Sequence, residues 1–136
     1  MITKAFSYKV WADRRTLGAV EEVDSDRCSK DYASILQQLN HMVIVAELFR
    51  SRLLASNAWY MGFVSAHADM TREIVFDFAD GKRGKMSVEE ILFHIVNHGS
   101  YHRGNIARAL DSAGVEHPSD GYGLFIHKVE AQLRAS

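Results

Sequence analysis

Apolar residues recur every three or four positions along most of this chain, the spacing at which side chains share one face of an α-helix. The pattern predicts a first helix over residues 4–22. Its apolar stripe consists of Phe6, Val10, Leu17 and Val20, with Trp11 beside it. The polar run that follows ends the helix and supplies Ser29 and Asp31 as candidate N-caps for the next one.

The same spacing predicts a longer second helix over residues 32–55. Its stripe consists of Ile35, Leu39, Met42, Val45 or Ala46, Phe49 and Leu53. His41 follows Leu39 by two positions and is therefore expected near the edge of that stripe. A short third helix is predicted over residues 57–70, although Gly62 lowers the helix propensity of this segment.

Between residues 72 and 87 the apolar period changes from helical to alternating. Ile74, Phe76 and Phe78 occupy every second position, as in a strand with one buried face. Asp80-Gly81 is a favourable pair for a tight turn. We therefore expect a small strand or hairpin in this segment.

The longest predicted helix begins after Ser87, which forms a capping box with Glu90, and it is expected to stop at Gly114. Its apolar positions are Ile91, Leu92, Ile95, Val96, Ile106, Ala109 and Leu110. Gly99 and Gly104 inside this helix each cost roughly 1 kcal/mol relative to alanine, so a close approach to the backbone is expected there. A last helix is predicted over residues 120–134, with Leu124, Phe125, Val129 and Leu133 as its apolar positions.

The composition is that of one folded domain over residues 1–136. Hydrophobic residues make up 47% of the chain, which excludes a disordered class, and Pro118 is the only proline. A net charge of −1 provides no basic surface for nucleic acid, and no run of about 18 uncharged apolar residues predicts a membrane span. The single Cys28 and an N-terminus without a signal-peptide core predict a reducing, cytoplasmic setting.

Three histidines, His94, His98 and His102, are spaced four apart within the longest helix. Four residues correspond to about 400° of rotation and about 6 Å of rise, so neighbouring members share a face and two imidazoles can bind one divalent ion. Each four-residue step rotates the side chain about 40° further around the helix axis, so the first and third histidines diverge. One ion therefore favours one adjacent pair and leaves the third imidazole beside the site. The remaining ligand must come from a facing helix, for which His41 is the candidate. The alternative interpretation is a hydrogen-bonded or water-facing polar stripe.

The other polar side chains near these histidines have ordinary structural interpretations. His67, His117 and His127 lack partners at ligand spacing and are expected at the surface or at the edge of the core. Tyr101 either orients a bound group or packs against its neighbours. Arg103 either pairs with a carboxylate across helices or faces an anionic substrate. We favour the structural role, since arginines at exposed helix positions are usually solvated.

The segment NHGSYHRGNIARAL, residues 97–110, resembles the signature of the DinB (damage-inducible) family of bacterial helical metalloproteins. FSYKVWADRRTL, LQQLNHMVIVAELFRSRL and DGKRGKMS are similar to that family's first helix, second helix and short extended segment. The resemblance implies an all-α four-helix bundle in up-down-down-up order, with a long connection between helices 2 and 3. This chain is short between Leu54 and Met70, so a shortened third helix is expected. A homodimer, common in the family, could cover the apolar surface that this leaves bare.

The resemblance also implies a divalent metal ion held by His41, His98 and His102, and His94 is not among the family's usual ligands. Their positions next to these ligands in the sequence make His94 and Tyr101 the residues expected beside the site. Zinc and nickel are typical of the family, and iron, cobalt or manganese also suit such ligands. Some relatives look like thiol-dependent transferases, so the chain is expected to transfer a low-molecular-weight thiol to a small electrophile. The alternatives are a metal-dependent hydrolase and a non-catalytic metal-binding module of a stress response.

Overall fold

The computed structural model describes residues 1–53, 69–77 and 81–131, and the side chains of these residues except 50–53. Its helices are α1 (Ile2–Val20), α2 (Ser29–Leu53), α3 (Val88–Ser112) and α4 (Tyr122–Val129), and its strands are β1 (Glu73–Asp77) and β2 (Arg83–Ser87). The described part is mostly helical, as predicted, with one small sheet. The predicted helix over residues 57–70 falls almost entirely outside the described residues, so the up-down-down-up order of a bundle stays a prediction.

Helix α3 lies at the centre of the fold and packs against both α1 and α2. Its inner face includes most of the predicted apolar stripe: Ile91, Leu92, Ile95, Val96, Ile106 and Leu110 are buried. The core has two apolar clusters, one around residues 88–96 of α3 and one around Ile106 and Leu110. The stretch of α3 between them, residues 98–103, carries polar side chains, and it is here that the candidate chemistry lies.

The stripe predicted for α1 is partly wrong. Val10 and Leu17 are 50% and 46% exposed. The buried face of α1 consists of Phe6, Tyr8, Ala12, Thr16 and Val20. Burial of Tyr8 on this face is possible because its hydroxyl donates to Asp120 and accepts a hydrogen bond from Arg103 of α3.

The stripe predicted for α2 is confirmed where its side chains are described. Ile35 and Phe49 are buried, and Leu39, Met42, Val45 and Ala46 are half-buried. The predicted N-caps are wrong, because the helix begins at Ser29 and Asp31 lies in its first turn. The capping-type contacts belong to Asp24, whose carboxylate accepts hydrogen bonds from the backbone N–H groups of Asp26 and Arg27, both at 3.1 Å.

The predicted hairpin is present as an antiparallel pair of strands in which Ile74 lies opposite Met86 and Phe76 opposite Gly84. Phe76 is buried and packs edge-on against Phe49 of α2, with ring centroids 5.9 Å apart. Gly81 has φ +82°, the conformation that a tight turn requires of glycine. Phe78 and Asp80, which the prediction also used, lie outside the described residues.

The ends of α3 agree with the prediction from sequence. Glu90 N–H donates to Ser87 Oγ at 3.2 Å, and Ser87 N–H donates to Glu90 Oε2 at 2.7 Å. The helix ends at Ser112, and Gly114 has φ +73°, as a C-terminal stop requires. Within the described residues the last helix, α4, is interrupted at Glu130: it buries Phe125 but leaves Val129 exposed, and Leu133 lies outside the described residues.

The capping box leads to a prediction for Ser87→Ala, which removes the acceptor for Glu90 N–H. We expect the free energy of unfolding to fall by about 1 kcal/mol, as is typical for the loss of an N-cap side chain. The Ser87 N–H bond lowers the pKa of Glu90, so the Glu90 contribution is lost as pH falls through that lowered pKa. Urea unfolding of both proteins at neutral pH measures the effect, and an unchanged midpoint for Ser87→Ala would contradict it.

The two glycines inside α3 differ, and only one has a close neighbour. A Cβ on Gly99 would lie 3.1 Å from Nη1 of Arg103 and 3.3 Å from Cε of Lys9, whereas a Cβ on Gly104 would meet nothing within 4 Å. The expected close approach is therefore confirmed at Gly99 and wrong at Gly104. Gly99 leaves room for the guanidinium of Arg103.

This difference predicts opposite results for two alanine substitutions. Gly104→Ala is expected to raise the free energy of unfolding by about 0.5–1 kcal/mol, because alanine favours a helix and meets no obstacle there. Gly99→Ala is expected to gain nothing, because the same preference is offset by displacement of Arg103. Urea unfolding of the wild type and both variants measures the two changes in free energy of unfolding. Equal stabilisation by the two substitutions would contradict the predicted difference between Gly99 and Gly104.

Among the described residues, no helix is both long enough and apolar enough to cross a membrane.

Candidate metal centre

Three histidines from two helices converge at the level of the polar stretch of α3. His41 comes from α2, and His98 and His102 come from successive turns of α3. One ring nitrogen from each residue can be chosen so that all three lie within 4.8 Å of one another. The ring centroid of His41 lies 5.1 Å from that of His98 and 4.8 Å from that of His102. We call these three residues the histidine cluster.

The donor set of the histidine cluster fits a divalent metal ion. The Nε2 atoms of His98 and His102 are 3.1 Å apart. Two nitrogens bound to one tetrahedral zinc at about 2.0–2.1 Å lie roughly 3.3 Å apart, so this separation matches a shared ion. In the part of the chain that the structure describes, no other group of three histidine, cysteine or acidic side chains is arranged to hold a metal.

The electrostatics of the cluster favour the neutral imidazoles that a metal requires. The pKa of His98 is lowered to about 4, first by burial and then by the positive charge of its neighbours, in the order His102, His94, His41 and Lys9. Burial, followed by the charge of His41, also lowers the pKa of His102. Both side chains therefore offer a lone pair near neutral pH without first losing a proton.

Exposure to solvent changes across the cluster. His102 is 7% exposed, His98 is half-buried and His41 is exposed. The cluster is consequently closed on the side of His102 and open on the side of His41.

One contact of the cluster was not anticipated from the sequence. The Nδ1 atom of His102 is hydrogen-bonded to Oε1 of Gln38, a half-buried residue of α2. Gln38 precedes His41 by three positions, so both residues lie on the same face of α2 and point toward α3. That spacing is the only signal in the sequence that could have identified Gln38.

His94 and Tyr101 lie beside the histidine cluster without joining it. The ring of His94 is 5.5 Å from that of His98 and packs edge-on against Phe49 at 5.2 Å. Tyr101 is 67% exposed and contacts the ring of His102 edge-on at 5.0 Å. Of the remaining histidines, His117 is half-buried and His127 is exposed, whereas His67 lies outside the described residues.

Arg103 occupies the other side of α3 and is buried, so the expectation of an exposed, solvated arginine is wrong. Arg103 as a whole is 2% exposed. Its guanidinium donates to Asp13 Oδ1 at 2.7 Å and to Asp120 Oδ2 at 2.8 Å. It also donates to Ser100 Oγ at 3.0 Å and to the Tyr8 hydroxyl at 3.2 Å. Arg103 thus joins α3 to α1 and to the loop before α4, which is the structural role of a cross-helix ion pair.

Comparisons with known proteins bear on the family to which this chain belongs. Protein DinB of Bacillus subtilis (strain 168) is 27% identical over 113 residues, which are 82% of this chain and 66% of that protein, so the chain spans slightly less than two thirds of the relative's length. No solved structure matches the chain. The sequence model of the DinB family matches residues 1–62 and 53–133. Because the two matches together cover nearly the whole sequence, this chain belongs to the DinB family.

Proposed function

We propose that the protein binds one divalent metal ion, zinc or nickel, through His41, His98 and His102. The observation that supports this proposal is the convergence of three imidazoles from two helices, with ring nitrogens within 4.8 Å of one another. Three protein ligands leave coordination positions open, whereas a structural zinc is normally closed by four. The ligand count therefore favours chemistry or substrate binding over a purely structural metal.

We further propose that the reaction is transfer of a low-molecular-weight thiol to a small electrophile. A bound divalent ion supplies positive charge that lowers the pKa of a thiol toward neutrality. In the transfer, the thiol sulfur forms a bond to the electrophilic carbon, the leaving group departs with its electron pair, and the thiol proton passes to solvent. The open side of the histidine cluster, next to His41, is where both reactants would enter.

The same proposal extends to architecture and assembly. We infer an up-down-down-up bundle with a shortened third helix, which forms a cytoplasmic homodimer. Exposed apolar side chains on the described helices support a partner surface, among them Val43 and Ile44 of α2 and Phe93 of α3, each more than 60% exposed. Light scattering on the purified protein tests the assembly, and a monomer at micromolar concentration would contradict it.

Metal titration of the stripped protein tests the binding site. We expect one zinc ion per chain, and at least about 100-fold weaker binding in His41→Ala, His98→Ala and His102→Ala, because each loses a direct ligand. His127→Ala is the matched control, since it removes an exposed histidine of α4 without touching the cluster. Full metal occupancy in His41→Ala would refute the assignment of a ligand from α2.

A thiol panel with an alkylating electrophile tests the reaction. Thiol consumption that needs the metal and disappears in His98→Ala is the expected result. Tight metal binding without turnover would instead indicate a non-catalytic binding module. Product formed with water in the absence of any thiol would indicate a hydrolase.

A further inference from the structure

We propose that Gln38 is a positioning residue of the metal site, which selects the ring nitrogen that His102 offers to the ion. This inference rests on the proposed metal binding and adds a residue and a role to it. Gln38 lies on α2, and its side-chain oxygen Oε1 is the partner of His102 Nδ1. One ring nitrogen of His102 therefore contacts Gln38 of the facing helix, and the other faces His98, a second member of the histidine cluster.

The argument follows from the proton count of a neutral imidazole. One ring nitrogen carries a hydrogen and the other carries a lone pair, and the hydrogen bond made by one determines the state of the other. The amide oxygen of Gln38 accepts a hydrogen bond, so Nδ1 of His102 carries the hydrogen. The lone pair is then on Nε2, the atom that lies 3.1 Å from Nε2 of His98. The opposite tautomer would direct an N–H group into the cluster and obstruct an ion there.

The chemistry of Gln38 also suits a site for a thiol. Metal-bound histidines commonly donate their second N–H to a carboxylate, a carbonyl or water. An amide oxygen orients the ring as a carboxylate would, but it adds no negative charge beside the ion. The positive charge of the ion is then less neutralised and acts more strongly on the pKa of a bound thiol.

The tautomer of His102 can be read directly by NMR. Long-range ¹H–¹⁵N correlation on protein labelled with ¹⁵N-histidine distinguishes the two tautomers, and His102→Ala assigns the signal. We expect the Nδ1–H form of His102 in the metal-free protein and with zinc bound. The Nε2–H form in the metal-free protein would overturn the proposal, because Gln38 would then donate its amide N–H to Nδ1.

Substitutions at Gln38 supply a second readout. Gln38→Leu, which keeps a similar size but has no acceptor, is expected to weaken zinc binding about 10- to 100-fold and to allow both tautomers. Gln38→Glu keeps the acceptor and is expected to retain the wild-type tautomer and at least the wild-type affinity. Gln37→Leu changes the exposed neighbour on α2 and is expected to leave both unchanged.

Two results would count against the role of Gln38. One is zinc affinity in Gln38→Leu within about twofold of wild type, well below the effect of losing such a partner. The other is failure of Gln38→Glu to retain the tautomer. Helical circular dichroism checks that each variant folds, and the tautomer of the wild-type protein is read without any change at Gln38. If wild-type protein binds no zinc, the proposed function fails, while the tautomer of the metal-free protein still tests the Gln38 contact.

Discussion

Replacing Arg103 with leucine is expected to lower the free energy of unfolding by about 3 kcal/mol. Removal of one partner from a buried ion pair typically costs about 3–5 kcal/mol, because the remaining charge stays desolvated and unpaired. The lower end applies because the side chains of Asp13 and Asp120 are 24% and 28% exposed. Each carboxylate also keeps another partner, Lys9 for Asp13 and the Tyr8 hydroxyl for Asp120.

Urea unfolding followed by circular dichroism measures the loss in Arg103→Leu. Arg108→Leu is the matched control, since Arg108 is exposed on the same helix and its replacement is expected to change stability by less than about 0.5 kcal/mol. Arg103→Lys should lie between the two, because lysine keeps the charge but cannot bind both carboxylates with one planar group. A loss below about 1 kcal/mol in Arg103→Leu would show that the ion pairs do not hold α1 and α3 together.

Zinc is expected to stabilise the protein through the histidine cluster. At about 100 times its dissociation constant, an ion that binds only the folded chain raises the free energy of unfolding by about 2.7 kcal/mol. For a domain of this size the corresponding rise in Tm is roughly 10 °C. The effect arises because the three ligands meet only when α2 and α3 are packed together.

The same experiment on variants shows where the ion binds. His98→Ala is expected to lose the zinc-dependent rise in Tm, because it removes one of the three ligands of the histidine cluster. His127→Ala is expected to keep the full rise. Equal zinc-dependent rises in wild type and His98→Ala would place the stabilising ion outside the histidine cluster.

Much of the local structure was predictable because it depends on neighbours in sequence. The capping box at Ser87, the stop at Gly114 and the hairpin around Gly81 each need only a few consecutive residues, and all three are present. The buried face of α1 was not predictable in the same way. Tyr8 and Thr16 are buried there in place of Val10 and Leu17, and the Tyr8 hydroxyl is satisfied by Arg103 and Asp120, partners from other segments of the chain.

By itself, the sequence determined that His98 and His102 share one face of α3, since the helical period alone sets that relation. Only the tertiary structure decided that His41 meets them while His94 packs against Phe49. It also decided that Gln38 reaches His102 and that Arg103 is buried among partners from α1 and the loop before α4. These contacts join different segments, so they depend on how core packing rotates each helix about its own axis, and no local spacing encodes that rotation.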